Sequence, residues 1–292
     1  MEGERGMKKP LFRKVEPYLY LLPALIFFGL FVYWPFFKTL KLSVARTTPL
    51  GEVAEYVGLA NYINIFKDPD FLKSLLISFE FAIMMVIFSI GLGFVLAIAS
   101  NEKIKGKGFF RTVYALPMAI SAAAASVVFM FIFHGSLGIL NRVLGTNIGW
   151  LTDTRYALIA VTIVSVWMNI GMNYIYITAA LQSVPNELYE SAAIEGAGFF
   201  QKHRHITIPC ISPTLFFLLI INVINSLQAY AQFKMMTQGG PANSTNVIVY
   251  EIYSEAFINS RFGVACAESV VLFVILIILT AFQFKLEKKV TY

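Results

Sequence analysis

Charged residues are scarce in this chain. Only 14% of its 292 residues are Asp, Glu, Lys or Arg, whereas 58% are hydrophobic, and the mean hydropathy is +0.69. An ordinary soluble domain needs a more highly charged surface, so the composition excludes that class. The net charge of +6 comes from Lys and Arg in short segments between long apolar runs, which do not form the continuous basic face of a nucleic-acid-binding protein. The chain is therefore expected to have lipid as its solvent.

Cysteine is almost absent. Cys210 and Cys266 both lie in or at the edge of apolar segments, without a second cysteine or a histidine at metal-ligand spacing. We expect both to be free, inert thiols.

Histidine is nearly as rare. None of His134, His203 and His205 belongs to a Ser/His/Asp or His/Glu pattern. The last two lie beside Lys202 and Arg204, which favours a basic surface patch over a metal site. We therefore expect no catalytic residue, no metal and no cofactor.

Six apolar runs are long enough to cross a bilayer. A helix needs about 20 apolar residues to span the roughly 30 Å hydrocarbon core. Runs of that length lie at residues 18–40, 72–100, 109–133, 156–181, 206–229 and 264–284. No small-residue cleavage pattern follows the first run, so we expect a retained anchor. The predicted fold class is an all-α integral membrane protein with six transmembrane helices.

Lysine and arginine are unequally divided between the two sides of this predicted membrane. Cytoplasmic flanks carry the excess, and one side holds 14 of the 23 basic residues, including both termini and the segments 101–108 and 182–205. We expect these parts to be cytoplasmic and the loops 41–71, 134–155 and 230–263 to be external.

The cytoplasmic segment between the fourth and fifth runs predicts a short helix. Pro185 suits a first helical turn, and Glu187 and Glu190 favour the positive end of the helix dipole. Gly196 and Gly198 suit the stop. The small residues between them would allow a partner surface to approach closely. From these features alone, the segment could equally be a solvated connector between two spans.

The same segment resembles the EAA loop of bacterial ABC-importer permeases. The family pattern is Glu-Ala-Ala, two residues, Asp-Gly-Ala and, later, Ile-x-Leu-Pro. The matching positions keep that spacing with three mild changes and are Glu190, Ser191, Ala192, Glu195, Gly196, Ala197, Ile206, Ile208 and Pro209. The resemblance implies a type I ABC importer permease fold in which the first six of these residues belong to a coupling helix that docks into an ATPase subunit.

Other stretches are similar to the carbohydrate-type permeases of this family. They are residues 58–62, 68–71, 237–241, 244–245, 250–253 and 256–257. Residues 181–185, 283–285 and 289–292 most resemble permease subunits for sn-glycerol 3-phosphate. The resemblance implies a binding-protein-dependent importer whose cargo is a sugar or a related polyol, with glycerol 3-phosphate as a candidate.

The resemblance also implies the partners and the location of the chain. The partners are a second permease subunit in a heterodimer, two copies of an ABC ATPase, and an extracytoplasmic solute-binding protein. The location is the bacterial inner membrane. The phosphate-binding pattern GxxxxGK[ST] does not occur in the sequence. ATP hydrolysis is therefore assigned to another chain, and this one is not expected to be an enzyme.

Three regions follow from this assignment. Residues 1–71 hold the N-terminal tail, the first span and an external loop. Residues 72–284 form a five-helix permease core with the EAA loop at 186–209. Residues 285–292 are a cytoplasmic tail.

Amide side chains recur at helical spacing on the fourth and fifth runs. Polar groups at membrane depth are costly unless they face protein or a water-filled path, and neutral amides suit hydroxylated solutes. The candidate path residues are Asn169, Asn173, Tyr176, Asn222, Asn225, Gln228 and Gln232. For any one of them, the alternative is an interhelical hydrogen bond that holds the bundle together.

Strong charges are expected to be nearly absent from the interior of the runs. We take Glu80 as the only one, and interpret it as an interfacial pairing or gating residue rather than a substrate ligand. The middle of each run lacks Lys and Arg, which weakens an organophosphate cargo unless a partner supplies the cation.

Two other classes of protein remain possible at this point. A stand-alone secondary transporter or channel for a small polar solute would also have six spans, although neither intramembrane acid pairs nor a doubled half-repeat is visible. A membrane-embedded enzyme would need a nucleophile or metal cluster, which the sequence does not offer.

Overall fold

Helices dominate the computed structural model, which describes residues 11–101 and 107–290. In chain order the α-helices are α1 (Leu11–Phe28), α2 (Trp34–Ser43), α3 (Ala60–Ile65), α4 (Pro69–Asn101), α5 (Lys107–Ala115), α6 (Ala122–Ile132), α7 (Ile139–Leu144), α8 (Ala157–Gln182), α9 (Asn186–Ile194), α10 (Phe199–Lys202), α11 (Ile208–Leu227), α12 (Ala231–Met236), α13 (Ile248–Tyr253) and α14 (Phe262–Val290). Strands β1 (Ala45–Thr47) and β2 (Val53–Tyr56) pair antiparallel between α2 and α3. The predicted all-α class is confirmed.

Five stretches of the described chain are long and apolar enough to cross a membrane. They are Tyr18–Ser43, Pro69–Ser100, Ala157–Gln182, Phe199–Met236 and Phe262–Glu287. Each contains or overlaps one of the predicted runs. The predicted number of six is reached when the bent pair formed by α5 and α6 is counted as one span.

The third predicted run, 109–133, consists of two helices, α5 and α6, separated by a bend. Its two halves meet at 103°. Pro117, which has no backbone N–H, lies in a 3-10 turn at Leu116–Ala119. Ile120 is extended, and the Ser121 hydroxyl then caps α6 by accepting a hydrogen bond from the N–H of Ala124 at 3.3 Å. Proline followed by serine before an alanine run was the sequence signal for this break.

The core lies along the contact between α4 and α8. A Cβ at Gly93 of α4 would lie 2.8 Å from the Cβ of Asn173 in α8, so glycine is needed for this close approach. Toward one end, Phe81 of α4 meets Phe233 of α12 edge to face, with ring centroids 4.9 Å apart. Toward the other, Leu218 of α11 is fully buried in the same cluster as residues of α4 and α8. Helices α4, α8 and α11 therefore form the packed centre.

The first span is largely uncovered by the rest of the chain. Its most apolar 18-residue window contains no buried residue. Contact is made by α2, whose Phe36 packs on Phe273 of α14 at 5.3 Å between centroids. Next to it, the Asn61 amide donates hydrogen bonds to the carbonyl oxygens of Ser43 and Ala45 at 2.9 and 3.0 Å. The apolar surface of α1 is thus left for lipid or another protein.

The loop before α14 folds tightly onto the end of α4. Gly239 has a φ of +79°, and a Cβ there would lie 2.8 Å from the ring of Tyr250. The backbone N–H of Ile248 donates to the Ser78 hydroxyl of α4 at 2.8 Å. Burial raises the pKa of the Glu251 carboxyl in this loop. The loop is therefore an ordered part of the fold.

Candidate coupling surface and candidate solute path

The predicted short helix between the fourth and fifth spans is α9. It begins after Pro185, which stands at the N-cap with φ −59° and ψ 132°, and Glu187 lies in its first turn. Proline fixes φ near this value, and an early carboxylate offsets the exposed N–H groups of a helix start. The chain here therefore leaves α8 at Ser183 and turns at once into a second, separate helix.

Gly196 ends α9 through its backbone conformation. Its φ is +80°, a left-handed value that side-chain-bearing residues rarely adopt. The N–H of Gly196 donates to the carbonyl of Ala193 at 3.1 Å, and the N–H of Ala197 donates to that of Ala192 at 2.9 Å. These two bonds satisfy the last carbonyls of the helix in a Schellman motif. Within the described chain nothing lies within 4 Å of the position a Cβ would take, so strain rather than crowding is what disfavours a side chain here.

The outer face of α9 is open. Glu190, Ser191 and Glu195 are exposed, and Ala192 and Ala197 are half-buried. Ile194 is 88% exposed, an apolar side chain left without cover. The exposed surface thus combines carboxylates, small residues and one large aliphatic group.

Tyr189 joins α9 to the next span, a link that the sequence analysis did not identify. Its hydroxyl lies 2.9 Å from the Thr207 hydroxyl, which also lies 2.9 Å from Nδ1 of His203. Thr207 is fully buried just before α11. The ring of Tyr189 packs on the cluster that contains Leu181 and Ile211. A large aromatic residue among small ones was the available sequence signal for an anchor.

Two of the candidate path residues, Asn173 and Asn222, bond to each other. The Asn222 amide donates to the Asn173 side-chain oxygen at 2.8 Å, and the Asn173 amide donates back at 3.3 Å. The Ser89 hydroxyl of α4 donates to the same Asn222 oxygen at 3.2 Å. All three side chains are buried. This three-residue asparagine node, consisting of Ser89, Asn173 and Asn222, joins α4, α8 and α11 and has the geometry of the hydrogen-bonded alternative.

Other candidates lie in more open positions. Asn225 and Gln228 are exposed, and Tyr176 is exposed with its ring 5.5 Å from that of Phe217. Asn169 is half-buried, and its amide donates to the backbone carbonyl of Ser165 at 2.8 Å. These positions, unlike the asparagine node, leave polar groups free to meet a solute.

The predicted stripe of Asn225, Gln228 and Gln232 does not run along one helix, and that expectation is wrong. Helix α11 ends at Leu227 with Gln228 as its C-cap, and α12 begins only at Ala231. Gln232 therefore lies on a different helix, where its amide is 3.8 Å from the sulfur of Met168.

Glu80 is not the only strong charge within a run. It is exposed on α4. Glu268, which the sequence analysis overlooked, lies in the last span and is only 2% exposed. Its Oε2 has no hydrogen-bond partner among the described residues. A carboxylate within the predicted run 264–284 was the sequence signal that could have identified Glu268.

Neither a cluster that could bind a metal nor a disulfide is found in the described ranges. Across 11–101 and 107–290 there is no group of three or more His, Cys, Asp or Glu side chains that could hold a metal. Cys210 and Cys266 are free thiols. The ring of His203 packs 4.3 Å from that of Phe199 between centroids.

Comparison with known proteins gives matches over nearly the whole chain. The family described as binding-protein-dependent transport system inner membrane component matches residues 89–292. The sn-glycerol-3-phosphate transport system permease protein UgpA of Agrobacterium fabrum is 36% identical over 284 residues, covering 96% of this chain and 97% of that protein. Its counterpart from Brucella abortus is 34% identical, with 98% and 100% covered.

Solved structures show the same fold. A chain of a bacterial ABC transporter involved in the import of the acidic polysaccharide alginate superposes with a TM-score of 0.84 at 23% identity, covering 97% of this chain and 100% of that chain. A chain of the MetNI methionine ABC transporter gives a TM-score of 0.55 at 17% identity, covering 76% and 94%.

Proposed function

This chain belongs to the family of binding-protein-dependent transport system inner membrane components, and we propose that it carries a sugar or related polyol, with glycerol 3-phosphate as the leading candidate. As a member of the family it is a permease subunit of a binding-protein-dependent ABC importer, with a type I fold and several membrane spans. It is not an enzyme, because ATP hydrolysis belongs to a separate subunit. Membership excludes the stand-alone transporter or channel considered above.

The observation that carries the cargo proposal is the near full-length similarity to permeases named for glycerol 3-phosphate. The open amides of Asn225 and Gln228 support a hydroxylated solute, because a neutral amide both donates and accepts hydrogen bonds. We assign direct solute contact to these two residues, with Asn169, Tyr176 and Gln232 as further lining. Asn173 and Asn222 are assigned to positioning the helices that carry that lining.

Coupling to ATP hydrolysis is assigned to α9. The ATPase-facing residues are Glu190, Ser191, Ala192, Glu195, Gly196 and Ala197. Support comes from the open outer face of this helix and from the exposed Ile194, which a docking groove would cover. The Tyr189 to Thr207 contact gives α9 a direct connection to the start of α11.

The complete transporter is proposed to contain four membrane-associated chains. They are this permease, a second permease and two copies of an ABC ATPase, and an extracytoplasmic binding protein delivers the solute. Within this chain, residues 72–284 form the permease core with the EAA loop at 186–209. Residues 1–71 form the first span with its flanking segments, and residues 285–292 form a tail. The uncovered surface of α1 supports the separation of the first region.

Both termini are proposed to be cytoplasmic, and cysteine labelling tests this orientation. Leu50 and Phe200 are equally exposed, at 86% each, and lie toward opposite membrane faces in the predicted topology. In a background without the two native cysteines, a membrane-impermeant maleimide added to intact cells should label Leu50→Cys and not Phe200→Cys. Permeabilised cells should label both. Labelling of Phe200→Cys in intact cells would reverse the orientation.

Reconstitution tests the cargo. The chain would be assembled in proteoliposomes with the second permease, ATPase and binding protein encoded beside its gene, and ATP hydrolysis measured with candidate solutes. We expect glycerol 3-phosphate or a sugar to stimulate hydrolysis severalfold over the binding protein alone. Glycerol and inorganic phosphate are the matched controls for the two halves of the ester. Stimulation by amino acids and by no hydroxylated solute would contradict the proposal.

A further inference from the structure

Lys234 is a cation within a membrane span, and the function proposed above gives it no role. It lies on α12, six positions after Gln228, to which direct solute contact is assigned. The predicted run 206–229 ends before Lys234, but the corresponding span of the fold, Phe199–Met236, includes it. Charged side chains within spans are rare and face protein or a water-filled path. In the predicted topology, Lys234 therefore lies at the external end of the proposed solute path.

Two tyrosines hold the Lys234 side chain in place. Its Nζ donates to the Tyr253 hydroxyl of α13 at 2.9 Å and lies 4.1 Å from the centre of that ring. Tyr230 precedes Lys234 by one helical turn on the same face, and its ring lies 5.2 Å from that of Tyr253 between centroids. We call Tyr230, Lys234 and Tyr253 the lysine–tyrosine cluster. The two rings fix the ammonium group between α12 and α13.

The charge of Lys234 is not neutralised by a carboxylate of the described chain. The ion pairs within residues 11–101 and 107–290 are made by Arg46 and Arg261. An ammonium group has three N–H donors, and Tyr253 is the acceptor for one of them. The same hydrogen bond lowers the pKa of the Tyr253 hydroxyl. All three members of the lysine–tyrosine cluster are only half-buried, so a positive charge and spare donors are open to an anion.

We propose that the lysine–tyrosine cluster binds the phosphoryl group of a phosphorylated polyol as this solute enters the path. The inference rests on the function proposed above and narrows its cargo from sugars and polyols in general to a phosphate ester. Lysine binds phosphate as a point charge, and charge-assisted hydrogen bonds are stronger than neutral ones. The amides of Asn225 and Gln228 then serve the hydroxyl groups of the same solute. The cation that an organophosphate requires is thus supplied by this chain and not by a partner.

ATP hydrolysis by the complete transporter in proteoliposomes tests the proposal. Glycerol 3-phosphate and the binding protein would both be saturating, so that the rate reports the permease and not capture of the solute. We expect Lys234→Gln to lower the stimulated rate about tenfold, because a charge-assisted contact is lost. Lys234→Arg keeps the charge and should retain most of the rate. Lys73→Gln is the matched control: Lys73 is an exposed lysine, also external in the predicted topology, whose Nζ donates to the Ala242 carbonyl at 3.0 Å. It should leave the rate unchanged.

A further variant and a stability measurement separate solute binding from packing. Tyr253→Phe removes the hydroxyl that positions Lys234 and keeps the ring, so it should lower the stimulated rate severalfold. The thermal midpoint of the solute-free complex should stay close to that of the unaltered protein in all of these variants. Equal losses of rate in Lys234→Gln and Lys234→Arg would mean that Lys234 acts through packing, which overturns the proposal.

Failure of the cargo and failure of the site give different results. Stimulation of the unaltered transporter by a neutral sugar and not by glycerol 3-phosphate would refute the phosphate ester as cargo, and the site with it. Equal stimulation of Lys234→Gln and the unaltered transporter by glycerol 3-phosphate would leave the cargo standing and overturn the site alone.

Discussion

Gly196→Leu is expected to abolish solute-stimulated ATP hydrolysis and to weaken binding of the ATPase subunit. The left-handed φ of +80° at this position ends α9, and any L side chain pays about 1–2 kcal/mol to adopt it. A residue that instead takes a helical or extended conformation redirects the chain and moves the proposed docking surface. Gly196→Ala isolates this backbone effect and should lower stimulated hydrolysis about tenfold. The measurement is ATP hydrolysis with and without solute-loaded binding protein.

Two substitutions serve as matched controls for Gly196. Gly198 has a φ of −73°, which any residue can adopt, so Gly198→Ala should remain close to normal. Asparagine tolerates left-handed backbone better than alanine does, so Gly196→Asn should retain more activity than Gly196→Ala. Glu190→Gln should cause only a partial defect, because an exposed charged contact contributes on the order of 1 kcal/mol.

A normally coupled Gly196→Leu variant would mean that α9 is a connector and not the coupling element. Equal defects in Gly196→Ala and Gly196→Asn would instead contradict the explanation from backbone conformation. Insertion into the membrane is expected to be unchanged in all of these variants, and its loss would point to a folding role.

Asn222→Leu is expected to lower the thermal stability of the assembled permease. The change removes the partner of Asn173 and of the Ser89 hydroxyl, and it leaves both polar groups buried among α4, α8 and α11. An unsatisfied buried group costs about 1–3 kcal/mol, so two of them are enough to lower the thermal midpoint by several degrees. Fluorescence-detected size-exclusion chromatography after a heating series measures this loss. Asn173→Leu should behave in the same way.

Substitutions of Asn225 and Gln228, whose amides are exposed, are expected to have a different effect from Asn222→Leu. Asn225→Leu and Gln228→Leu should lower solute uptake while the complex assembles normally, because neither side chain is buried. The double substitution Asn173→Leu with Asn222→Leu should be less destabilised than the sum of the single changes, since it removes both partners of the pair together. Normal stability with lost uptake in Asn222→Leu would return this residue to the solute path.

Hydropathy predicted accurately the spans that consist of a single continuous helix. Run 264–284 lies within α14, and run 156–181 matches α8 to within one residue at each end. A membrane span must satisfy its backbone hydrogen bonds internally, which favours such continuous helices. The bend at Ile120 was missed because the hydropathy of a run does not register a change of direction. Local signals, Pro117 and Ser121, carried that information instead.

The candidate site residues also differ in whether the sequence could predict their roles. Gly196 could be predicted because its role depends on local backbone conformation, which a glycine at the end of a short helix indicates. The partner of Asn173 could not be predicted, because it lies 49 positions away on another helix and helical spacing describes only one helix at a time. The same limit hid the contact of Tyr189 with Thr207.

The contact between the Tyr189 and Thr207 hydroxyls also has a dynamic consequence. A single neutral hydrogen bond contributes only about 1 kcal/mol, so thermal motion can break and remake it many times within one transport cycle. The asparagine node has several such bonds in a site sealed from water and should persist throughout. Helices α4, α8 and α11 would then move as one rigid body, and the joint at Thr207 would allow α9 to change its angle relative to that body.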